Sequence, residues 1–219
     1  MLVSNLVISN YPSVNPQDKV SFALSLMEDY DIHHLAVVTE DQFTGVIAKD
    51  DLLDAEENAA LGTLSAYILK LSVDTRDHFT TALKIAVEHQ LTLVPVVAEN
   101  NELAGVVSSN ELLKTLYHFT GTDVPGAIIV LEIEKKDYSF GEISRLVETN
   151  DAYITQLNSS VDTDTGLMLV TIKINKYEVS DIIGTFQRYD YTVKYYFGEE
   201  YYVNQLKENY DLLMTYLKM

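Results

Sequence analysis

Few side chains in this sequence combine the types and spacing that covalent or metal chemistry needs. There is no cysteine, which removes disulfides, thiolate metal sites and a Cys nucleophile together. Of the five histidines, His33 and His34 are adjacent and precede an apolar strand, where neighbours point to opposite faces and do not converge on one ion. His78, His89 and His118 have no His or carboxylate partner at a convincing helical ligand spacing. No Gly-x-Ser-x-Gly elbow, P-loop or Cys–His arrangement is present. Neither a catalytic constellation nor a resident metal or cofactor is expected.

What remains is a phrase written twice, GVIAKDDLL at 45–53 and GVVSSNELL at 105–113. Asp51 and Glu111 are carboxylates with two acceptor oxygens each, a match for a diol. Ser108 offers a hydroxyl and Lys49 a cation beside a predicted helix start, where anions are favoured. The same residues also suit a purely structural role, since acids and hydroxyls stabilise helix N-termini through the dipole and by capping. Both readings stand at this level.

The elements around the phrases repeat as well. SVNPQDKVSFALSLMEDYDIHHLAVVTEDQFT precedes Gly45, and SVDTRDHFTTALKIAVEHQLTLVPVVAENNELA precedes Gly105. Each copy opens on Ser-Val (Ser13, Val14; Ser72, Val73). Each continues into a helix with an apolar stripe: Val20, Ala23, Leu24 and Met27, then Phe79, Ala82, Leu83 and Ala86. Asp18 and Asp77 are expected in the first helical turns, where negative charge is favoured. A short strand follows (35–38 and 94–97), then a polar turn, a second strand starting at the glycine, and a helix starting near Asp50 or Asn110. Each copy therefore reads strand–helix–strand–strand–helix, and neither closes a core alone. The expectation is an intramolecular pair packed sheet to sheet.

On the order of elements, the repeat and the Gly-h-h-x-x-x-Asp ending, this half resembles a tandem CBS-domain pair, or Bateman module. The resemblance implies a cleft between the copies that takes adenosine nucleotides. There the acid accepts from ribose hydroxyls, and a Thr/Ser three residues before it contacts phosphate. Both copies depart from that pattern. The first keeps Asp51 but has Ala48 in place of the hydroxyl; the second keeps Ser108 but has Glu111 in place of Asp. One lost charge-assisted hydrogen bond costs about 1.5–3 kcal/mol. Bases are scarce near the phrases, with Lys49 in the motif and Lys19 and Arg76 in the flanking segments. The nucleotide-binding set is thus Asp51, Ser108, Glu111 and Lys49, and AMP or a related adenosine nucleotide is expected over ATP as a regulatory ligand.

Beyond FTGTDVPG (119–126), a loop by composition, the pattern changes. AIIVLEIEKKD reads as a strand. A helix then starts after Ser139, a candidate N-cap with Glu142 at capping-box spacing, and presents Phe140, Ile143, Leu146 and Val147. Two strands flank a turn at Asp162–Gly166. A second helix carries Val179, Ile182, Ile183 and Phe186, and YTVKYYF closes the order strand–helix–strand–strand–helix–strand. That order gives a ferredoxin-like sheet with both helices on one face, and it resembles an ACT domain. A CBS pair joined through LLKTLYHFTGTDVPG to such a domain, with Glu142-Ile143-Ser144 at the helix start, is similar to the acetoin-utilisation CBS–ACT proteins of bacteria; Phe119 replaces their junction leucine. The ACT resemblance implies effector binding at the first strand–helix turn, here through Asp137 and Ser139.

The fold class is therefore α+β: a CBS-domain pair over 1–120, an ACT-like domain over 121–197 and a C-terminal helix over 198–219. In that helix Val203, Leu206, Tyr210, Leu213 and Leu217 form a 3-4 seam suited to self-association. Thirty-three acids against 15 bases leave a net charge of −18, which disfavours nucleic acid and anionic membrane surfaces as partners. The opening MLVSNLVISNYPSV lacks a basic n-region and a long apolar run, so no secretory signal or membrane span is expected. Together these features imply a cytoplasmic, homodimeric, non-enzymatic regulator with a small-molecule effector and a protein partner. The alternative is an interaction scaffold whose ligand sites have decayed.

Overall fold

The computed structural model of the chain describes residues 1–198; the expected C-terminal helix with its Val203–Leu217 seam lies outside them. Two compact units are present, one ending at Leu116 and the other beginning at Tyr117.

The first unit holds the two copies. Copy one is β1 (Ser13–Val14), α1 (Val20–Asp29), β2 (His34–Thr39), β3 (Gln42–Ala48) and α2 (Lys49–Leu53). Copy two is β4 (Val73–Asp74), α3 (Phe79–Glu88), β5 (Leu93–Val97), β6 (Leu103–Ser108) and α4 (Ser109–Phe119). Each forms a three-stranded sheet, β1-β2-β3 or β4-β5-β6, with the first pair parallel and the second antiparallel. Strand alternation divides the first sheet's side chains between two cores. Leu35, Val37 and Ile47 pack under α1 with Val20, Ala23 and Met27. Ala36, Phe43 and Val46 join the core of copy two, with Phe79, Ala82, Val94, Val96 and Val107. That shared core is the expected sheet-to-sheet packing.

Two details differ from the sequence reading. The second strand of each copy starts before its glycine, at Gln42 and Leu103, because Phe43 and Leu103 already pack into the shared core. Asp18 and Asp77 stand two residues ahead of their helices, which begin at Val20 and Phe79. Their carboxylates close the preceding turn, accepting from the backbone N–H of Asn15 (2.7 Å) and Asp74 (2.9 Å).

The glycines of the repeated phrase owe their place to chain crossing. Residues 1–8 pair with the second copy: Ile8 and Val106 exchange backbone hydrogen bonds of 2.8 and 3.1 Å, and Val3 and Leu6 are buried in its core. The segment leading into copy two pairs instead with the first: Val46 and Leu69 exchange bonds of 2.8 and 2.9 Å, and Leu61 is buried there. A Cβ on Gly45 would lie 2.8 Å from the Leu69 carbonyl oxygen and one on Gly105 2.5 Å from that of Ile8. Both phrases begin with glycine because a strap from the other copy crosses there.

The second unit is β7 (Ile128–Ile133), α5 (Phe140–Glu148), β8 (Ile154–Val161), β9 (Met168–Ile174), α6 (Ser180–Arg188) and β10 (Thr192–Phe197). Its sheet runs β10-β7-β9-β8, antiparallel throughout, which is the ferredoxin-like order. Ile129, Leu131 and Ile133 of β7 and Val170, Ile172 and Ile174 of β9 face Ile143, Leu146, Val147, Ile182 and Phe186 of the helices in one core. Phe140 is the departure: counted in the helical stripe, it is 53% exposed at the first helical position.

Candidate functional site

Strand register brings the ends of both phrases to one end of the pair. His34 opens β2 opposite Ala48, the last residue of β3. Leu93 opens β5 opposite Ser108, the last residue of β6. The Lys49 N–H donates to the His33 carbonyl and the Ser109 N–H to that of Thr92, fixing how each helix leaves its sheet. His34 and Thr92 then join the copies. The Thr92 N–H donates to His34 Nδ1 at 3.2 Å, and Thr92 Oγ1 lies 2.9 Å from the same nitrogen. An Nδ1 that accepts a backbone N–H carries no proton, so the neutral ring holds its hydrogen on Nε2. Burial, then His33, lower the His34 pKa, while Asp50 and Asp51 oppose the shift, so both acids of the first phrase act on this imidazole.

The two helix starts are built differently. Ala48, at the cap position of α2, supplies no side-chain bond. Ser108 Oγ accepts from the Glu111 N–H at 3.2 Å, the capping role that the structural reading assigns to it, and its O–H stays available to donate. Glu111 faces Lys114 at 3.8 Å. Lys49, Asp51, Ser108 and Glu111 are all half-buried. Two carboxylate acceptors (Asp51 and Glu111), a hydroxyl donor (Ser108) and the ammonium of Lys49 thus lie at one end of the pair, with Lys114 already facing Glu111. At the opposite, turn end of the sheets lies a cavity of about 360 Å³ lined by Tyr11, Asp41, Glu102 and Gly105. It contains none of the four predicted residues, and burial raises the Tyr11 pKa there.

In the second unit Asp137 ends a 3₁₀ turn (Lys135–Asp137) and Ser139 caps α5, its Oγ accepting from the Glu142 N–H at 3.3 Å. Asp137 and Ser139 line one cavity of about 730 Å³, together with Glu132, Glu134, Glu142 and Tyr191. The Glu142 carboxylate departs from the capping-box expectation. It accepts the Tyr191 hydroxyl at 2.9 Å, an arrangement invisible in the sequence because the partners are 49 residues apart. Burial, reinforced by that bond, pushes the Tyr191 phenol up to about 12.

Among the described residues, no group of three or more His, Cys, Asp or Glu is placed to hold a metal, and no helix is long and apolar enough to cross a membrane.

Comparison with known proteins bears on the family and the fold. The CBS domain family matches residues 3–58 and 70–118. A solved CBS domain pair/ACT domain protein of Thermotoga maritima is 30% identical, covers 54% of this chain and 98% of its own, and superposes with a TM-score of 0.50. A Vibrio cholerae protein named for acetoin utilization is 18% identical, covers 56% of this chain and 95% of its own, and has a TM-score of 0.48. Among curated sequences, the inosine-5'-monophosphate dehydrogenase of Methanocaldococcus jannaschii is 28% identical over 131 residues, which is 57% of this chain and 26% of the enzyme. The chain spans about a quarter of the length of the curated relatives it matches. Fold and paired phrases together define a CBS pair followed by a ferredoxin-like, ACT-type domain. The chain belongs to the tandem CBS-domain proteins.

Proposed function

We propose that this chain is a non-enzymatic regulator that senses an adenosine-type nucleotide through its CBS pair. The observation that supports this reading is the placement of Lys49 and Asp51 just after β3 and of Ser108 and Glu111 at the end of β6, with those strand ends joined across the copies by His34 and Thr92. In this reading Asp51 or Glu111 accepts from the ribose diol and Ser108 donates to phosphate. The preference is for AMP, because Lys49, with Lys114 already facing Glu111, and a net charge of −18 leave a triphosphate undercompensated. The matched stretch occurs in inosine-5'-monophosphate dehydrogenases and homoserine O-acetyltransferases. A segment found in enzymes named for unrelated reactions fits a role separate from either reaction, which supports a regulatory reading.

The ACT-like domain, taken as 121–197 after a CBS pair over 1–120, serves effector binding at Asp137 and Ser139 or dimerisation. The protein acts as a cytoplasmic homodimer on a protein partner. The scaffold alternative draws support from Ala48 and Glu111, the two departures from the nucleotide motif. Thermal unfolding with AMP, ATP and S-adenosylmethionine separates the readings. A sensor gains stability with ligand concentration, most with AMP; a scaffold shows the same midpoint in all three.

A further inference from the structure

Strand alternation leaves the second unit's sheet with a face that α5 and α6 do not cover; buried Val130 lies on it beside Thr171, and its polar part is the β8–β9 side. Register sets Gln156 opposite Lys173 and Asn158 opposite Thr171 on β8 and β9, with Ile128 of β7 on the other side of Lys173. Residues 120–126 form a strap over this grid, held by the Lys173 ammonium donating to the Gly121 carbonyl and by His118 Nδ1 2.8 Å from Asp123. Strap and strands enclose a concavity of about 570 Å³, within the range of small-molecule sites. Among the described residues the Gln156 and Asn158 side-chain amides engage no other side chain or backbone group.

Charge decides what fits. An anion drawn to Lys173 would face Asp123, and a cation drawn to Asp123 would face Lys173; both charged groups line the concavity. Each is already engaged. The remaining polar groups, amides and hydroxyls, mix donors with acceptors, as a neutral polyol does at every hydroxyl. Ile128 and Val124 supply an apolar surface for its C–H face.

We propose that this concavity, bounded by the 120–126 strap and the Gln156–Asn158–Thr171–Lys173 grid, is a second ligand site that takes a neutral polyhydroxylated molecule of sugar or cyclitol type. It is independent of the nucleotide reading of the CBS pair.

The test is NMR of the full chain labelled with ¹⁵N, following the side-chain amide signals of Gln156 and Asn158 during titration with D-glucose, myo-inositol, L-serine and L-lactate. The expected result is a saturable shift with glucose or inositol, weakened about tenfold in Asn158→Ala; Thr171→Val, which keeps the strand's shape, should weaken it similarly. The proposal is overturned if neutral probes move neither signal, if L-serine or L-lactate binds as tightly as the better polyol, or if both variants bind like the parent.

Discussion

Replacing Gly105 with Ala tests the crossed-strap architecture most sharply. The added Cβ would lie 2.5 Å from the Ile8 carbonyl oxygen and 2.6 Å from Val7 Cγ1, where the Ile8 backbone is fixed by its two bonds to Val106. Overpacking of this kind costs about 1–3 kcal/mol. The backbone at Gly105 also has φ +145°, a conformation that adds roughly 1–2 kcal/mol for a residue with a side chain. The sum, roughly 2–5 kcal/mol, is a large fraction of the ~5–15 kcal/mol that a typical domain has. Gly45→Ala meets Ile68 Cγ2 at 2.4 Å and the Leu69 carbonyl at 2.8 Å without the φ penalty, so about 1–3 kcal/mol is expected. The assay is urea unfolding with hydrogen exchange at single amides. Gly105→Ala should lose protection first at Ile8 and Val106, and Gly45→Ala at Val46 and Leu69. A Gly105→Ala protein with unchanged midpoint and unchanged protection at Ile8 would refute the crossing as the reason for the glycine.

Two further outcomes follow from titrating groups. His34 has a folded pKa below its ordinary 6.5, so the unfolded chain takes up the proton more readily; the stability it contributes is present above that value and lost as pH falls below it. Comparing urea midpoints of the first unit at about pH 7.5 and 5.5 should show this loss, and His34→Gln, which can still accept the Thr92 N–H, should flatten it. Tyr191 has the opposite shift. Its folded pKa of about 12 lies above the ordinary 10.0, so its contribution is intact below pH 10 and lost as pH rises towards 12. Tyr191→Phe should remove that alkaline slope and cost about 1–3 kcal/mol at neutral pH through the lost bond to Glu142, measured by denaturant unfolding of the second unit.

Much of the architecture is legible in the sequence because local periodicity and global packing agree. The stripes Val20–Met27 and Phe79–Ala86 are buried as helices, and the βαββαβ order of the second half forms the sheet that order implies. The misses involve partners far apart in sequence. Gly45 and Gly105 read as the first residues of a strand, whereas each lies inside one, under a strap that only tertiary structure supplies. His34 reads as half of an adjacent pair, and nothing local points to Thr92, 58 residues on. Glu142 sits at capping-box spacing, yet Tyr191 competes for its carboxylate. The types of the candidate residues Lys49, Asp51, Ser108 and Glu111 are visible in the repeat; their assembly at one end depends on the register of β2 with β3 and of β5 with β6.

The central claim is a nucleotide site at the paired phrase ends, and isothermal calorimetry of the purified full chain with AMP and ATP tests it directly, alongside Asp51→Ala and Glu111→Ala. The account predicts AMP binding tighter than ATP, lost in whichever variant removes the ribose acceptor, by roughly ten- to a hundredfold for one charge-assisted hydrogen bond. Equal or tighter ATP binding, or AMP binding unchanged in both variants, would contradict it.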